Sequence, residues 1–236
     1  MTFRILAAIC GASLAGGAAQ AQNLITNGSF ELFDDAHPFI VYTDDTARYF
    51  PGSTGILGWT VTAGTDIALS GPTNSYGDYA SDGSYSLELT GYEDSNPFGG
   101  VSQTIATVAG RHYRLTFDLG NNVRYVNELY DDAILASAGA TSQTFTNPIY
   151  DHSNNPAQSW ATETMDFVAT GSSTLITLHG GISGANQAAI GLDNVSVVQL
   201  DSSAAPEPAS WALMLAGFGA IGGALRNRRK AAVSFG

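Results

Sequence analysis

The side chains best suited to ligand chemistry are aromatic residues in polar segments rich in glycine or asparagine. Such rings can stack on the apolar faces of sugars while polar neighbours bind the hydroxyl groups. The candidates are Tyr76, Tyr79, Tyr92, Phe98 and Trp160. Each could pack in a core instead. Trp59 and the aromatic residues of predicted strands, Tyr113, Phe117 and Phe167, are expected in the core instead.

The chain shows no catalytic motif. It has neither a His-Glu-x-x-His zinc motif nor a Gly-x-Ser-x-Gly nucleophile elbow. Residues 217–222 fit Gly-x-Gly-x-x-Gly, but they lie in an apolar run and lack the downstream acidic residue that a dinucleotide site needs. A glycosidase needs two facing carboxylates, and acidic residues are numerous enough here for chance pairs. A hydrolase is therefore only a minor alternative.

The charge of the chain excludes whole classes of partner. The formal net charge is −12, and residues 22–201 hold 20 acidic residues, four arginines and no lysine. Nucleic-acid binding requires a basic surface that displaces counterions from phosphates, so that class is excluded. Anionic lipid surfaces are disfavoured for the same reason. An acidic domain of this kind suits a soluble extracellular protein, or a protein that binds calcium or neutral glycans.

The amino-terminal segment predicts export. Arg4 is followed by a short apolar run, and residues 19–21 read Ala-Gln-Ala, a small-x-small cleavage site. This order is typical of a secretory signal peptide over residues 1–21. Cys10 is the only cysteine, so the processed chain would contain no disulfide and no thiol.

The carboxyl-terminal segment has three parts in a fixed order. They are Pro206-Glu207-Pro208, an apolar run over residues 210–225 and a basic cluster over residues 226–230. The apolar run is slightly shorter than the ~20 residues of a typical membrane span, and the basic cluster should stay cytoplasmic. This segment resembles the PEP-CTERM sorting signal of Gram-negative bacteria, also catalogued as an ice-binding-protein C-terminal domain. The resemblance implies recognition by an exosortase, cleavage near Pro206, Glu207 and Pro208, and delivery to the envelope or extracellular matrix.

Residues 22–200 show the period-two alternation of β-strands. Leu87 and Leu89 share one face, and residues 113, 115, 117 and 119 are apolar while their neighbours are polar. Clusters of glycine and asparagine at residues 99–100, 120–122 and 180–181 are expected to separate strands. No sustained helical periodicity occurs in this region. We therefore predict an all-β fold, an antiparallel jelly-roll β-sandwich.

The last strand of this region changes the parity of its apolar residues. Ile190 and Leu192 keep one parity, whereas Val195 and Val197 keep the other. If all four face the core, one extra residue must be inserted near Asp193 and Asn194. This predicts a β-bulge that holds Asp193 rigidly at a strand end.

The order of several short motifs carries a family resemblance. The motifs occupy residues 23–31, 58–59, 82–89, 99–104, 109–118 and 192–197. Together they resemble the choice-of-anchor C family, which is similar to plant cell-wall proteins of the galactose-binding-like jelly-roll fold. The resemblance spans residues 23–200 and implies a non-catalytic, exported, glycan-associated domain.

The same resemblance implies a structural calcium ion between the first and last strands. Its pattern would place Glu31 and Asp193 at the ion, with oxygens from the loop that contains Asp82. Calcium takes six to eight oxygen ligands, so carboxylates and carbonyls suit it. In the alternative, Glu31 and Asp193 cap turns through hydrogen bonds.

The sequence therefore predicts five segments and one main function. The segments are a signal peptide (1–21), a β-sandwich (22–200), a linker with the Pro-Glu-Pro motif (201–209), a transmembrane anchor (210–225) and a basic cytoplasmic tail (226–236). The expected function is non-catalytic binding of extracellular polysaccharide by a sorted envelope protein. A structural matrix protein without a specific ligand is the first alternative.

Overall fold

The computed structural model describes residues 22–34, 40–41, 44–62, 64–91, 98–122, 132–147, 159–182, 189–200, 213–222 and 226. The signal peptide, the Pro-Glu-Pro motif and Tyr92 lie outside these residues. Residues 21–201 form one compact unit. In the other unit, residues 213–222 form a helix, α1. In the described part of the chain, no helix has the length and apolar character needed to cross a membrane.

The compact unit is built from twelve described strands. They are β1 (Ile40–Val41), β2 (Thr46–Tyr49), β3 (Thr60–Val61), β4 (Ile67–Ser70), β5 (Ser86–Glu88), β6 (Gly100–Ala106), β7 (His112–Asn122), β8 (Asp132–Ala138), β9 (Thr141–Asn147), β10 (Ser159–Val168), β11 (Ser173–Ile182) and β12 (Ala189–Gln199).

These strands form two sheets in which every pairing is antiparallel. The seven-stranded sheet has the order β1-β2-β4-β5-β12-β7-β10, and the five-stranded sheet has the order β3-β6-β11-β8-β9. Neighbours along each sheet are mostly distant in sequence, as in a jelly roll. The predicted fold class is confirmed.

The core lies between the two sheets, on the faces that the alternation predicts. Tyr113, Leu115, Phe117 and Leu119 of β7 are buried, and so are Trp59 and Phe167. The rings of Phe117 on β7 and Phe145 on β9 meet edge to face at 5.4 Å, which joins the two sheets.

The bulge in β12 is also confirmed. The pairing of β12 with β7 shifts register between Asp193 and Ser196, and Asn194 has a φ of 50°. The shift allows Leu192 and Val195 both to face the core, where each is buried. Asp193 lies within β12, however, and not at a strand end.

The segment before β1 fastens the two sheets to each other. The Leu24 amide donates to the Val197 carbonyl of β12, at 2.8 Å. Two residues on, the Thr26 backbone exchanges two hydrogen bonds with the buried amide of Gln103 on β6, at 2.8 and 2.9 Å. This short segment therefore contacts the seven-stranded sheet and the five-stranded sheet in turn.

Two of the three glycine clusters do not separate strands as expected. Residues 120–122 are the end of β7, and residues 180–181 lie inside β11. A Cβ atom at Gly180 would lie 3.1 Å from the Cβ of Phe98 and 3.2 Å from that of Leu89. Glycine at this position therefore permits close packing and does not mark a turn.

We expect Phe117→Ala to lower the free energy of unfolding by about 3–5 kcal/mol, because it removes a buried ring that joins both sheets. Val168→Ala is the control, since Val168 is exposed on β10, and it should cost less than about 0.5 kcal/mol. Urea unfolding followed by tryptophan fluorescence measures both values. Equal losses for the two variants would contradict the placement of Phe117 between the sheets.

Candidate functional site

The candidate site is centred on a carboxylate of β12 that is entirely buried. Asp193 has 0% exposure, and its Oδ2 accepts hydrogen bonds from the amides of Ser81 and Asp82, at 2.8 and 2.9 Å. Its Oδ1 accepts the amide of Asn194, at 2.7 Å. The bulge thus directs a carboxylate at the backbone of the loop over residues 81–85, which we call the clamp loop.

A second carboxylate lies opposite Asp193 on the neighbouring strand. Asp118 of β7 is the register partner of Asp193. Its Oδ1 accepts the hydroxyl of Thr162 at 2.6 Å, and its Oδ2 accepts the hydroxyl of Ser81 at 2.7 Å. The Asn194 side-chain amide also donates to Asp118, at 3.2 Å. Hydroxyl and amide donors therefore surround both carboxylates.

Glu31 binds the other end of the clamp loop. Its Oε1 accepts the amides of Ser84 and Tyr85, at 2.7 and 2.9 Å. Gly83 lies between the two bound ends with a φ of +76°, and a Cβ atom there would clash with the Glu31 carboxylate. Glycine is therefore required at this position for two reasons, the backbone angle and the space.

The three residues implied as calcium ligands therefore meet at one loop. Ser29 links Asp82 to this group, because its hydroxyl donates to Asp82 Oδ2 at 2.7 Å. However, both oxygens of Asp193 accept protein N–H groups in this arrangement, Oδ1 from Asn194 and Oδ2 from residues 81 and 82. Among the described residues, no group of three or more His, Cys, Asp or Glu side chains is arranged to hold a metal ion. Calcium stays a prediction, and the contacts favour the alternative in which the carboxylates cap turns.

Burial changes the proton affinity of Asp193. Desolvation raises the pKa of Asp193 to about 6, although the hydrogen bonds that it accepts act in the opposite direction. At neutral pH the ionised form therefore needs all of its N–H and hydroxyl donors. The clamp loop supplies most of them.

Two of the predicted aromatic residues meet beside the clamp loop. Tyr79 is 46% exposed, and Trp160 is partly exposed on β10. The indole Nε1 of Trp160 donates to the Tyr79 carbonyl at 3.0 Å. The register partners Gly120 and Gly191 continue the row from Trp160 across the sheet without side chains. Both glycines are buried, so the row is covered beyond Trp160, and the accessible part of the pair is the edge of the sheet at Trp160 and Tyr79.

Tyr76 lies on the same loop connection but is held by polar contacts. Asn74 is buried, and its Oδ1 accepts the amides of residues 76, 77 and 78. Burial of Asp44 acts to raise its pKa, but hydrogen bonds from Thr46 and Tyr76 act in the opposite direction, and the pKa of Asp44 is lowered. Tyr76 is half-buried, and the hydrogen bond from its hydroxyl to Asp44 fixes its side chain.

The remaining candidates are placed elsewhere. Phe98 is 2% exposed and belongs to the core, so the structure does not offer its ring to a ligand. Tyr92 lies outside the described residues, as do Pro206, Glu207 and Pro208. The sequence analysis did not assign to the site the polar residues that hold it together, namely Asn74, Ser81, Asp118, Thr162 and Asn194. A local signal existed for Asn74, which lies in a run of turn-forming residues, and for Asn194, which lies at the predicted bulge.

Comparisons with known proteins agree with the two-part organisation. A family model described as a protein of unknown function, DUF642, matches residues 23–197. A second model, described as the PEP-CTERM protein-sorting motif, matches residues 204–230, which implies an exported protein sorted by an exosortase. The resemblance stated from the sequence is confirmed. No curated protein matches the chain.

Solved structures with a similar fold include several carbohydrate-binding modules. TmCBM61 in complex with β-1,4-galactotriose is 14% identical with a TM-score of 0.46, over 76% of this chain and 99% of that chain. The CBM22-1 xylan-binding domain from Paenibacillus barcinonensis Xyn10C is 17% identical with a TM-score of 0.42, over 79% and 100% of the two chains. A CBM4 structure is 16% identical with a TM-score of 0.37, over 74% and 99%.

We expect the stability of the domain to respond to the ionisation of Asp193. Burial raises the pKa of this group from 3.8 to about 6, so folding favours the neutral form of Asp193. The stability that this preference contributes is fully present below pH 3.8 and is lost as the pH rises through about 6. The free energy of unfolding of the wild type, relative to Asp193→Asn, should fall between pH 4 and 7 by up to about 3 kcal/mol. Urea unfolding of both proteins across this range measures the difference. If the difference grew with pH, the hydrogen bonds of the clamp loop would outweigh desolvation.

We expect calcium removal to leave the melting temperature unchanged, because Asp193 and Glu31 are already bound to backbone amides. The measurement compares thermal unfolding in EDTA with unfolding in millimolar calcium. Magnesium at the same concentration controls for ionic strength. A saturable rise of the melting temperature with calcium that Asp82→Asn removes would instead assign the ion to this loop.

Proposed function

Because this chain belongs to the DUF642 family, a family of unknown function, and carries a PEP-CTERM protein-sorting motif, we propose that it is an exported protein whose β-sandwich binds polysaccharide without cleaving it. The observation that carries this proposal is the pair Tyr79 and Trp160, in which Tyr79 is 46% exposed and Trp160 is partly exposed on an edge strand. Apolar ring faces of this kind are suited to stack on sugars.

The position of the pair supports binding to an extended ligand. Trp160 is on β10, an edge strand of the seven-stranded sheet, and its hydrogen bond to Tyr79 fixes the indole against the loop. A ring that is already held in place loses little conformational entropy when a ligand binds. Hydroxyl, carboxylate and amide groups of residues 81, 118, 162 and 194 form a hydrogen-bond network of their own, and residues 81 and 162 are each two positions along the chain from a member of the pair.

The carboxylates of this network support the non-catalytic part of the proposal. A retaining or inverting glycosidase needs two carboxyl groups that face the scissile bond across a cleft. Asp118 and Asp193 are buried, and both accept hydrogen bonds from the protein itself. Their arrangement suits the support of a loop, and it does not present two groups to a substrate.

The location that goes with this function is the cell envelope or extracellular matrix of a Gram-negative bacterium. Before processing, residues 210–225 would hold the chain in the inner membrane, with residues 226–230 on the cytoplasmic side. Exosortase-type machinery would recognise residues 206–208 and release the sandwich.

The test uses the full chain in mild detergent and a panel of insoluble galactan, xylan and cellulose. We expect retention on at least one of these polymers, and both Trp160→Ala and Tyr79→Ala should weaken it about tenfold or more, since each removes apolar contact area. Leu57→Ala is the matched control, because Leu57 is 45% exposed, much as Tyr79 is, but is remote in sequence from the pair.

Each other outcome selects a different function. No retention of the folded chain on any polymer favours a structural matrix protein without a specific ligand. Release of reducing ends from a retained polymer favours the hydrolase. Retention that is unchanged in both aromatic variants places the binding surface elsewhere on the domain.

A further inference from the structure

The outer face of the five-stranded sheet carries a row of five hydroxyl side chains, which we call the hydroxyl row. Each strand contributes one, and neighbours in the row are register partners across the sheet. In the order β3-β6-β11-β8-β9, the residues are Thr60, Ser102, Thr177, Ser137 and Ser142. The residues next to them on the inner strands, such as Val101, Ile176 and Leu178, are buried in the core. The hydroxyl row therefore faces outwards, and its members are exposed or half-buried.

This face is almost free of charge although the domain is strongly acidic. Within the five strands as the structure describes them, Asp132 is the only Asp, Glu, Lys or Arg residue, and it has 0% exposure. Solvent-exposed surfaces normally mix charges of both signs, and edge strands are commonly protected by charged residues. Neither edge strand of this sheet, β3 or β9, has a charged residue. The described strands of this sheet therefore offer hydroxyl and apolar groups to a partner in place of charges.

Two exposed apolar side chains border the hydroxyl row. Leu175 is 52% exposed and precedes Thr177 by two positions on β11, whereas Leu135 is 41% exposed and precedes Ser137 by two positions on β8. Because β8 and β11 are antiparallel, the two leucines lie on opposite sides of the row. Apolar side chains therefore flank a line of hydrogen-bonding groups.

The spacing of the row matches an extended polymer. Neighbouring strands are about 4.8 Å apart, so the five hydroxyl positions span about 19 Å. The spacing between neighbouring strands is close to the length that one pyranose unit adds to an extended polysaccharide chain. Hydroxyl groups of the row can both donate and accept hydrogen bonds, as the hydroxyl groups of sugars can.

We propose that the hydroxyl row is a second binding surface, which takes an extended, uncharged polysaccharide lying across the strands with about one sugar for each hydroxyl side chain. The proposal deepens the proposed function and relies on its ligand class, but it uses a different sheet. The absence of charge selects the partner. A polyanion is repelled by the net charge of the domain, and a polycation would favour the carboxylates outside this face.

The test separates the two surfaces by working in the Trp160→Ala background, which removes the aromatic pair. The probes are neutral β-1,4-linked gluco-, xylo- and galacto-oligosaccharides from the disaccharide to the hexasaccharide, titrated against the full chain in detergent by calorimetry. At least one series is expected to bind, with affinity that rises with length until the sugar spans the row. Thr177→Glu should weaken binding at least about tenfold, because a bound sugar would remove water from an unpaired carboxylate in the middle of the row.

The matched control is Thr164→Glu, which adds the same charge at an exposed position of β10 on the other sheet and should leave the affinity unchanged. Thr177→Ser keeps the hydroxyl group and should retain most of the affinity. Equal effects of Thr177→Glu and Thr164→Glu would overturn the proposal, and so would an affinity that does not depend on length. Conversion of a dimer into a monomer by Thr177→Glu, measured by light scattering, would also overturn it, because the face would then bind a second copy of the chain.

The outcomes distinguish this proposal from the proposed function. Loss of all binding in Trp160→Ala, with no effect of Thr177→Glu on the chain that keeps Trp160, leaves the aromatic site and removes the hydroxyl row. The reverse pattern leaves the hydroxyl row and removes the aromatic site. If the chain that keeps Trp160 binds none of the three series, both surfaces are removed. Melting temperatures of the variants show that each one is folded.

Discussion

The bulge in β12 is the constraint on which the core and the candidate site both depend. It allows Leu192 and Val195 to face inwards on either side of it, and it leaves Asp193 on the opposite face of the strand. A buried carboxylate is unfavourable unless it is hydrogen-bonded, and here its donors come from residues 81, 82 and 194. The carboxylate therefore holds the clamp loop against the sheet, and Tyr79 just before that loop is held near Trp160. A packing requirement in one strand thus positions an exposed ring on another segment.

The sequence predicted those features that have a local period. Alternation at residues 113–119 identified the core face of β7, and the parity change between Leu192 and Val195 identified the bulge. The clamp loop had no such signal, because its hydrogen bonds join residues that are far apart, such as Ser81 and Asp193. Phe98 was predicted to be a ligand-binding aromatic residue of a loop because glycines lie beside it in the sequence. Those glycines let the backbone approach closely, and the ring is buried in the core.

The two sheets differ in the chemistry of their outer faces, and the register explains why. The seven-stranded sheet presents ionisable residues there, including the buried pair Arg48 and Asp66 and the exposed pair Arg114 and Asp166. Loops and salt bridges satisfy these charges, so that face is shaped by polar contacts within the domain. The five-stranded sheet presents hydroxyl and methyl groups in register across its whole width. Uncharged side chains at successive register positions give that face groups that suit an uncharged partner.

Binding surfaces on opposite sheets would also connect two functions that were treated as alternatives. A rigid sandwich that holds one polysaccharide chain on each sheet cross-links the chains, because a stiff polymer cannot bend around the domain to occupy both faces. Each contact raises the effective concentration of the other, so weak single-site affinities are sufficient for stable retention in a polymer network. A domain with both surfaces would therefore act as a carbohydrate-binding module and, by cross-linking the polymer, as a structural matrix protein. The domain needs no disulfide for this role, since residues 23–26 already fasten one sheet to the other.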